Sequence, residues 1–208
     1  MSRPGYSESI FLNVPLDKKY DCLLNAIIFA VFDCGFVPQC AREEEDSSAV
    51  RIQKIYRMIR DSKYGIHDLS RTSLDSKHRL PRFNMPFELG IFLGAKRYGS
   101  RKQRLKRALV LERERYRFQI YCSDISGQDI RGHSNRADDA IRSVRNWLRT
   151  CPEMKSKLMP DAEFMCVRYR AFKSQLPRLR RQLRLDRGPL HIVDYYNLVS
   201  GWLKKNPK

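Results

Sequence analysis

Apolar and polar positions alternate along the first two-thirds of the chain with two different periods, and the alternation predicts the elements. Residues 9–16 (Ser-Ile-Phe-Leu-Asn-Val-Pro-Leu) form a short apolar run ended by Pro15, which reads as a strand. A helix starts at Asp17 or a neighbour and continues to Phe32. Leu23, Leu24, Ile27, Ile28, Val31 and Phe32 make it apolar almost all round, and Gly35 closes it. A second strand is expected over 36–41. Ile52, Ile55, Tyr56 and Ile59 then fall on one helical face, and residues 64–69 read as a third strand. After a polar loop over 72–81 comes a helix ended by Gly99. A basic link over 101–107, with five cations among seven residues, leads to a fourth strand over 108–111. The stretch 113–124 is mixed, 128–131 reads as a fifth strand, and 136–149 as a helix with the face Ala137, Ala140, Ile141, Val144, Trp147 and Leu148.

Strands alternating with helices imply an α/β fold, a parallel sheet of about five strands with helices on both faces. Such sheets bind ligands outside the carboxyl ends of their strands. Asn13, Arg42, Asp68, Arg71 and Glu88 all fall at or just past those ends. The stretch 82–96 organises this reading. Asn84 is placed to cap a helix, Pro86 suits its first turn, and Phe87, Leu89, Ile91, Phe92, Leu93 and Ala95 predict burial on most sides. Glu88 is the one ionisable group between Phe83 and Gly94 and is expected in the first turn. Gly90 and Gly94 leave room for a close neighbour or ligand. Glu88 is either a first-turn acid on a core helix or a catalytic or ribose-binding carboxylate.

Past Pro152 the pattern changes. Residues 152–208 carry 13 basic and 5 acidic side chains and read as a basic helical extension of a domain over 9–150. Met165, Tyr169, Phe172, Leu176, Leu179 and Leu183 form a seam at coiled-coil spacing, flanked by Arg178, Arg180, Arg181, Arg184 and Arg187. Pro177 predicts a kink or break. A last helix spans 191–205.

Composition adds three constraints. A hydrophobic content of 42% supports a real core. The start of the chain has no apolar signal segment and the longest apolar run, 26–32, is too short for a bilayer, so a soluble cytoplasmic protein is expected with no membrane partner. Cys22, Cys34, Cys40, Cys122, Cys151 and Cys166 are scattered without Cys-x-x-Cys spacing, which argues against zinc and for free thiols, with Cys22 and Cys34 read as packing. The net charge is +18, yet residues 1–48 hold four basic and eight acidic groups. The basic body therefore suits an anionic partner, a nucleotide or a nucleic acid, or else is a solvated surface.

Asn84-Met85-Pro86-Phe87-Glu88-Leu89-Gly90, followed by Phe92-Leu93-Gly94, resembles the Asn-x-x-Phe-Glu-Leu-Gly-x-Phe-Leu-Gly signature of bacterial TIR-like nucleotide-binding domains. Their wider superfamily includes the nucleoside 2-deoxyribosyltransferases. The resemblance spans about residues 9–150 and includes the opening strand with Asn13 and Pro15 and the third strand with Asp68. It implies a flavodoxin-like sheet, a site that handles the N-glycosidic bond of a nucleotide such as NAD, and Glu88 in the place of the family's catalytic glutamate. No bound cofactor is implied, since NAD would be substrate. Arg42 and Arg71 would hold phosphates, and Asn13 and Asp68 base or ribose, with Asn84 and Asp129 as further binding candidates. A role as an antiviral defence effector acting in an assembled state, through the C-terminal helices, is part of the same expectation.

Three readings stay open: an N-glycosyl hydrolase, a nucleotide sensor that does not cut, and a nucleic-acid-binding or interaction module using the basic helices. His67 reads as a core histidine, and the acids over 43–46 as an exposed loop rather than a metal site.

Overall fold

The computed structural model describes residues 4–44, 46–72, 83–185 and 188–208. Most of the expected loop over 72–81, together with Glu45, Arg82 and Arg187, lies outside the described residues.

Five strands form one parallel sheet: β1 (Ser9–Asn13), β2 (Val37–Cys40), β3 (Tyr64–Asp68), β4 (Arg107–Glu112) and β5 (Arg131–Gly132), in the order β2-β1-β3-β4-β5. This is the flavodoxin-like order. β1 and β3 are buried at every position, which fits near-continuous apolar runs in a sheet covered on both faces. Six α-helices are described: α1 (Asp21–Asp33), α2 (Arg51–Asp61), α3 (Asn84–Tyr98), α4 (Ala137–Arg149), α5 (Ala162–Gln182) and α6 (Ile192–Lys205). α2 and α3 cover one face, with Ile55, Met58, Ile59 and Phe92 packed on Phe11. α1 and α4 cover the other, where Ile27, Phe29, Ile141 and Val144 meet Ile10, Leu12 and Ile66.

Some boundaries differ from those the sequence predicts. α1 begins at Asp21 rather than Asp17 because residues 17–20 form turns. β5 is two residues long and later than the predicted strand, and single 3-10 turns at Arg117–Ile120 and Ser123–Ile125 occupy the preceding stretch. Pro177 lies inside a continuous α5. Gly35 takes a left-handed φ of 82° just past α1, as a helix stop requires. At Gly65 a side chain would clash: a Cβ would come within 2.5 Å of His67 Nε2 and 2.9 Å of Phe92.

The C-terminal helices join the core. Met165, Cys166, Tyr169 and Phe172 of α5 and Tyr195, Val199 and Trp202 of α6 belong to the same apolar cluster as α1 and α4. Phe29 of α1 stacks against Phe172 with ring centroids 5.5 Å apart. The seam expected to pack on another helix is therefore largely filled from within the chain, and its exposed remnant is Leu183 at 62%. Arg168 of α5 donates from Nη2 to Asp33 Oδ1 at 3.2 Å and from Nε to Asp33 Oδ2 at 3.3 Å, in a buried pair at the end of α1.

Both sheet edges are short or closed. On β2, Val37 donates inward to Glu8 O at 2.9 Å, so the alternate positions Pro38 and Cys40 face outward. Pro38 has no N–H, and the N–H of Cys40 donates to the Glu43 carboxylate. The Pro38 carbonyl accepts from Gln39 Nε2 at 3.1 Å. No helix of the described residues is long and apolar enough to cross a membrane.

Candidate functional site

The carboxyl ends of the strands carry polar residues that end apolar runs. Asn13 ends β1, Asp68 ends β3 and Glu112 ends β4, and all three are buried. Such groups must find partners, because an unpaired buried polar group costs about 1–3 kcal/mol.

Asn13 uses its amide to join three elements. Nδ2 donates to His67 Nδ1 at 3.0 Å and to the Met85 carbonyl in the first turn of α3 at 2.8 Å. Its Oδ1 is buried without a partner. His67 is fully buried and its ring meets Phe92 edge-on, with centroids 4.8 Å apart. Burial, followed by the Lys106 charge, pulls its pKa down to about 3, so the ring is neutral. An amide donor at Nδ1 then places the ring proton on Nε2. His67 is thus a core histidine, as its position predicts.

Asp68 is fully enclosed on the other face of the sheet. Oδ1 accepts from Ser70 N at 2.8 Å, and Oδ2 accepts from Tyr20 Oη at 2.5 Å. His133, just past β5, brings Nε2 to 3.0 Å from Oδ2, off the line of a good hydrogen bond. Its Nδ1 accepts from Asn135 N at 3.0 Å. Asp68 therefore fixes three loops and offers no oxygen to solvent. Glu112 accepts from its neighbour Arg113 N at 2.7 Å and from the hydroxyl of Tyr121, and pairs with Arg117 at 3.1 Å.

Glu88 is buried, with 6% of its surface exposed. It falls in the second turn of α3 rather than the first, because Asn84 is the first helical residue and Phe83 takes the cap position with no side-chain cap bond. The helix dipole consequently acts on it more weakly than expected. α3 runs from the carboxyl ends of the strands toward their amino ends. Glu88, one turn before Phe92 on the same side, thus stands toward the carboxyl rim. Burial pushes its carboxyl up to about 7, against the opposing pull of Arg51 at the start of α2. α3 is less covered than its sequence predicts: of its residues Glu88, Leu89 and Phe92 are buried, while Phe87 is 57% exposed. Cβ atoms at Gly90 and Gly94 would meet nothing within 4 Å, so no described residue packs closely on these glycines.

The remaining candidates lie around the loop from β1 to α1 or outside it. Arg42 pairs with Asp21 at 3.0 Å and donates to the Leu16 carbonyl; Arg71 lies 3.5 Å from Asp17. Two arginines, one just past β2 and one just past β3, thus clamp one rim segment, each still about one-third exposed. Asn84 and Asp129 are exposed, with Asp129 on the approach to β5. The structure brings Asn13, Arg42, Asp68, Arg71 and Glu88 to one end of the sheet, and it leaves Asp68 internally saturated.

Sequence reasoning missed Tyr20, Glu112, Tyr121 and His133. Glu112 was legible as the polar end of an apolar strand, matching Asn13 and Asp68, once the strand is extended by one residue. Cys22, expected in packing, is exposed, while Cys34, Cys40, Cys151 and Cys166 are buried. Among the described residues, no group of three or more His, Cys, Asp or Glu is placed to hold a metal ion. The polar groups at this end of the sheet are amide, carboxyl, phenol and guanidinium groups. Comparison with protein families, curated proteins and solved structures finds no match to this chain.

Proposed function

We propose that the chain binds a nucleotide at the carboxyl rim of its sheet and hydrolyses an N-glycosidic bond, with NAD as the first substrate to try. The observation that carries this reading is Glu88: a carboxyl buried in the second turn of α3, on the side turned toward the rim, with its pKa raised to about 7. A carboxyl that titrates near neutral pH can change its charge during turnover. In its ionised form it stabilises positive charge at the anomeric carbon as the bond to nicotinamide breaks. The bonding electrons go to the nicotinamide nitrogen, which becomes neutral. Water adds to the anomeric carbon and loses a proton, giving nicotinamide and ADP-ribose. Arg42 and Arg71, each partly exposed at the rim, suit the pyrophosphate. Asn13 and Asp68 act here as positioning residues, holding α3 and the loops.

The internal saturation of Asp68 also supports a second reading, a nucleotide sensor that binds without cutting. The test is incubation of the purified chain with NAD while free nicotinamide is followed, for wild type and Glu88→Gln. The enzyme reading expects release that falls at least about a hundredfold in the variant. Binding of NAD by calorimetry without release selects the sensor, and neither binding nor release rejects both.

A further inference from the structure

Six surface arginines are balanced by neighbouring acids. Arg57, Arg60, Arg113, Arg136, Arg142 and Arg170 each lie against a carboxylate, as a charge-balanced solvated surface should. The cations around the end of α3 do not. Residues 89–111 contain seven basic side chains and no acid. Five of them, Lys96, Arg97, Arg101, Lys102 and Arg104, are exposed, and no carboxylate of the described residues pairs with them. Like charges left together without counterions raise the local potential, and that cost calls for a polyanion.

Two more features narrow the partner. Tyr98, in the last turn of α3 and in the middle of these cations, is 85% exposed. The segment is also held rigidly. Gln103 Nε2 donates to Arg60 O at 2.8 Å, Tyr6 Oη donates to Lys102 O at 2.9 Å, and buried Lys106 donates to the carbonyls of Ile59 and Ser62 at the end of α2. The cations and the ring therefore stand on a fixed base rather than on a loose tail.

We propose that this patch binds single-stranded nucleic acid, with Lys96, Arg97, Arg101, Lys102 and Arg104 on successive phosphates and the Tyr98 ring stacked on a base. Planar guanidinium groups suit phosphate, and an exposed aromatic ring among cations is the sequence-tolerant platform that unpaired bases stack on. An anionic bilayer would instead favour a continuous apolar face, whereas the exposed aliphatic side chain here is Leu105 alone among residues 96–107. The patch lies about 15 Å along α3 from Glu88, at the amino end of the sheet, and is independent of the rim reading.

The test is fluorescence anisotropy of the full chain with labelled single-stranded DNA and RNA of about 16 nucleotides across a salt series. Lys96→Gln/Arg97→Gln/Arg101→Gln is compared with a charge-matched control at the end of α5 and just past it, Arg178→Gln/Arg181→Gln/Arg184→Gln, with circular dichroism checking the fold of each. The expected result is a salt slope reduced by about 2 in the first triple variant and by less than about 1 in the control. Tyr98→Ala weakens binding about tenfold and Tyr98→Phe retains it. Equal losses in the two triple variants, a preference for duplex, unchanged binding by Tyr98→Ala, or Tyr98-dependent capture by phosphatidylserine vesicles in place of oligonucleotide would each overturn the proposal.

Discussion

Asn13 Nδ2 donates to the Met85 carbonyl at 2.8 Å, and this bond fastens the end of the interior strand β1 to the first turn of the helix that carries Glu88. The same amide reaches His67 on β3, so one side chain sets the spacing of two strands and a helix. Asn13→Ala removes the donor from a carbonyl and a ring nitrogen at once. The expected loss is about 2 kcal/mol of stability in urea unfolding. On the proposed function, nicotinamide release also falls, while circular dichroism stays native.

The pH dependence of Glu88 has a definite sign. Its carboxyl sits at about 7 against an ordinary value of 4.5, and burial is the first cause. The folded state therefore holds its proton more tightly than the unfolded state. This contribution favours folding below about 4.5 and is lost as pH rises through about 7. Glu88→Gln should be close to neutral near pH 4.5 and stabilising at pH 8, on the order of 2 kcal/mol, in thermal melts at both. A shift equal at the two pH values would show that the carboxyl titrates in its ordinary range.

If ionised Glu88 stabilises positive charge during glycosidic cleavage, kcat/KM for NAD rises with pH along a limb centred near 7. The limb is read from initial rates of nicotinamide release between pH 5 and 9, roughly the span in which perturbed carboxyls and histidines titrate. A flat profile through that range would count against the ionised acid as the working form.

Tyr20 and Asp68 form a buried phenol–carboxylate bond at 2.5 Å. Tyr20→Phe keeps the ring and removes the donor, leaving Ser70 N as the hydrogen-bond donor to that carboxylate beside the poorly aligned His133. The cost is about 1.5–3 kcal/mol, as for a hydrogen bond to a charged group. Chemical denaturation of Tyr20→Phe and Tyr20→Phe/Asp68→Asn measures it, with the second change recovering part of the loss.

The Arg168–Asp33 pair tests whether the C-terminal helices belong to the folding unit. Arg168→Ala leaves the buried Asp33 carboxylate with Lys208 alone, 3.6 Å away, which costs at most about 3 kcal/mol. A chain ended at Thr150 loses the α5 and α6 side chains that cover Phe29. It is expected to be insoluble or partly unfolded, and a cooperative, soluble truncated chain would show that the first segment folds alone.

The class and order of elements were legible because buried parallel strands leave unbroken apolar runs, as in Ile10–Leu12 and Tyr64–Ile66, and their helices carry 3.6-residue faces. Polar residues at strand ends pointed to the rim for the same reason: Asn13 and Asp68 break those runs. What each polar residue does there was not legible. Asp68 looked free for a ligand, yet Tyr20 and Ser70, distant or unremarkable in sequence, take up its oxygens. The cover of α3 was overestimated because apolar composition does not say how many neighbours a helix receives. The C-terminal seam suits packing on another helix, and within the chain α1 and α6 supply that packing; spacing alone does not name the neighbour.

The margins of the sheet bear on self-association. With a proline and a glutamate-capped amide along one border and only Arg131–Gly132 along the other, neither border offers a visiting strand a ladder to climb. Copies crowded together at high concentration should resist cross-β stacking through these two borders.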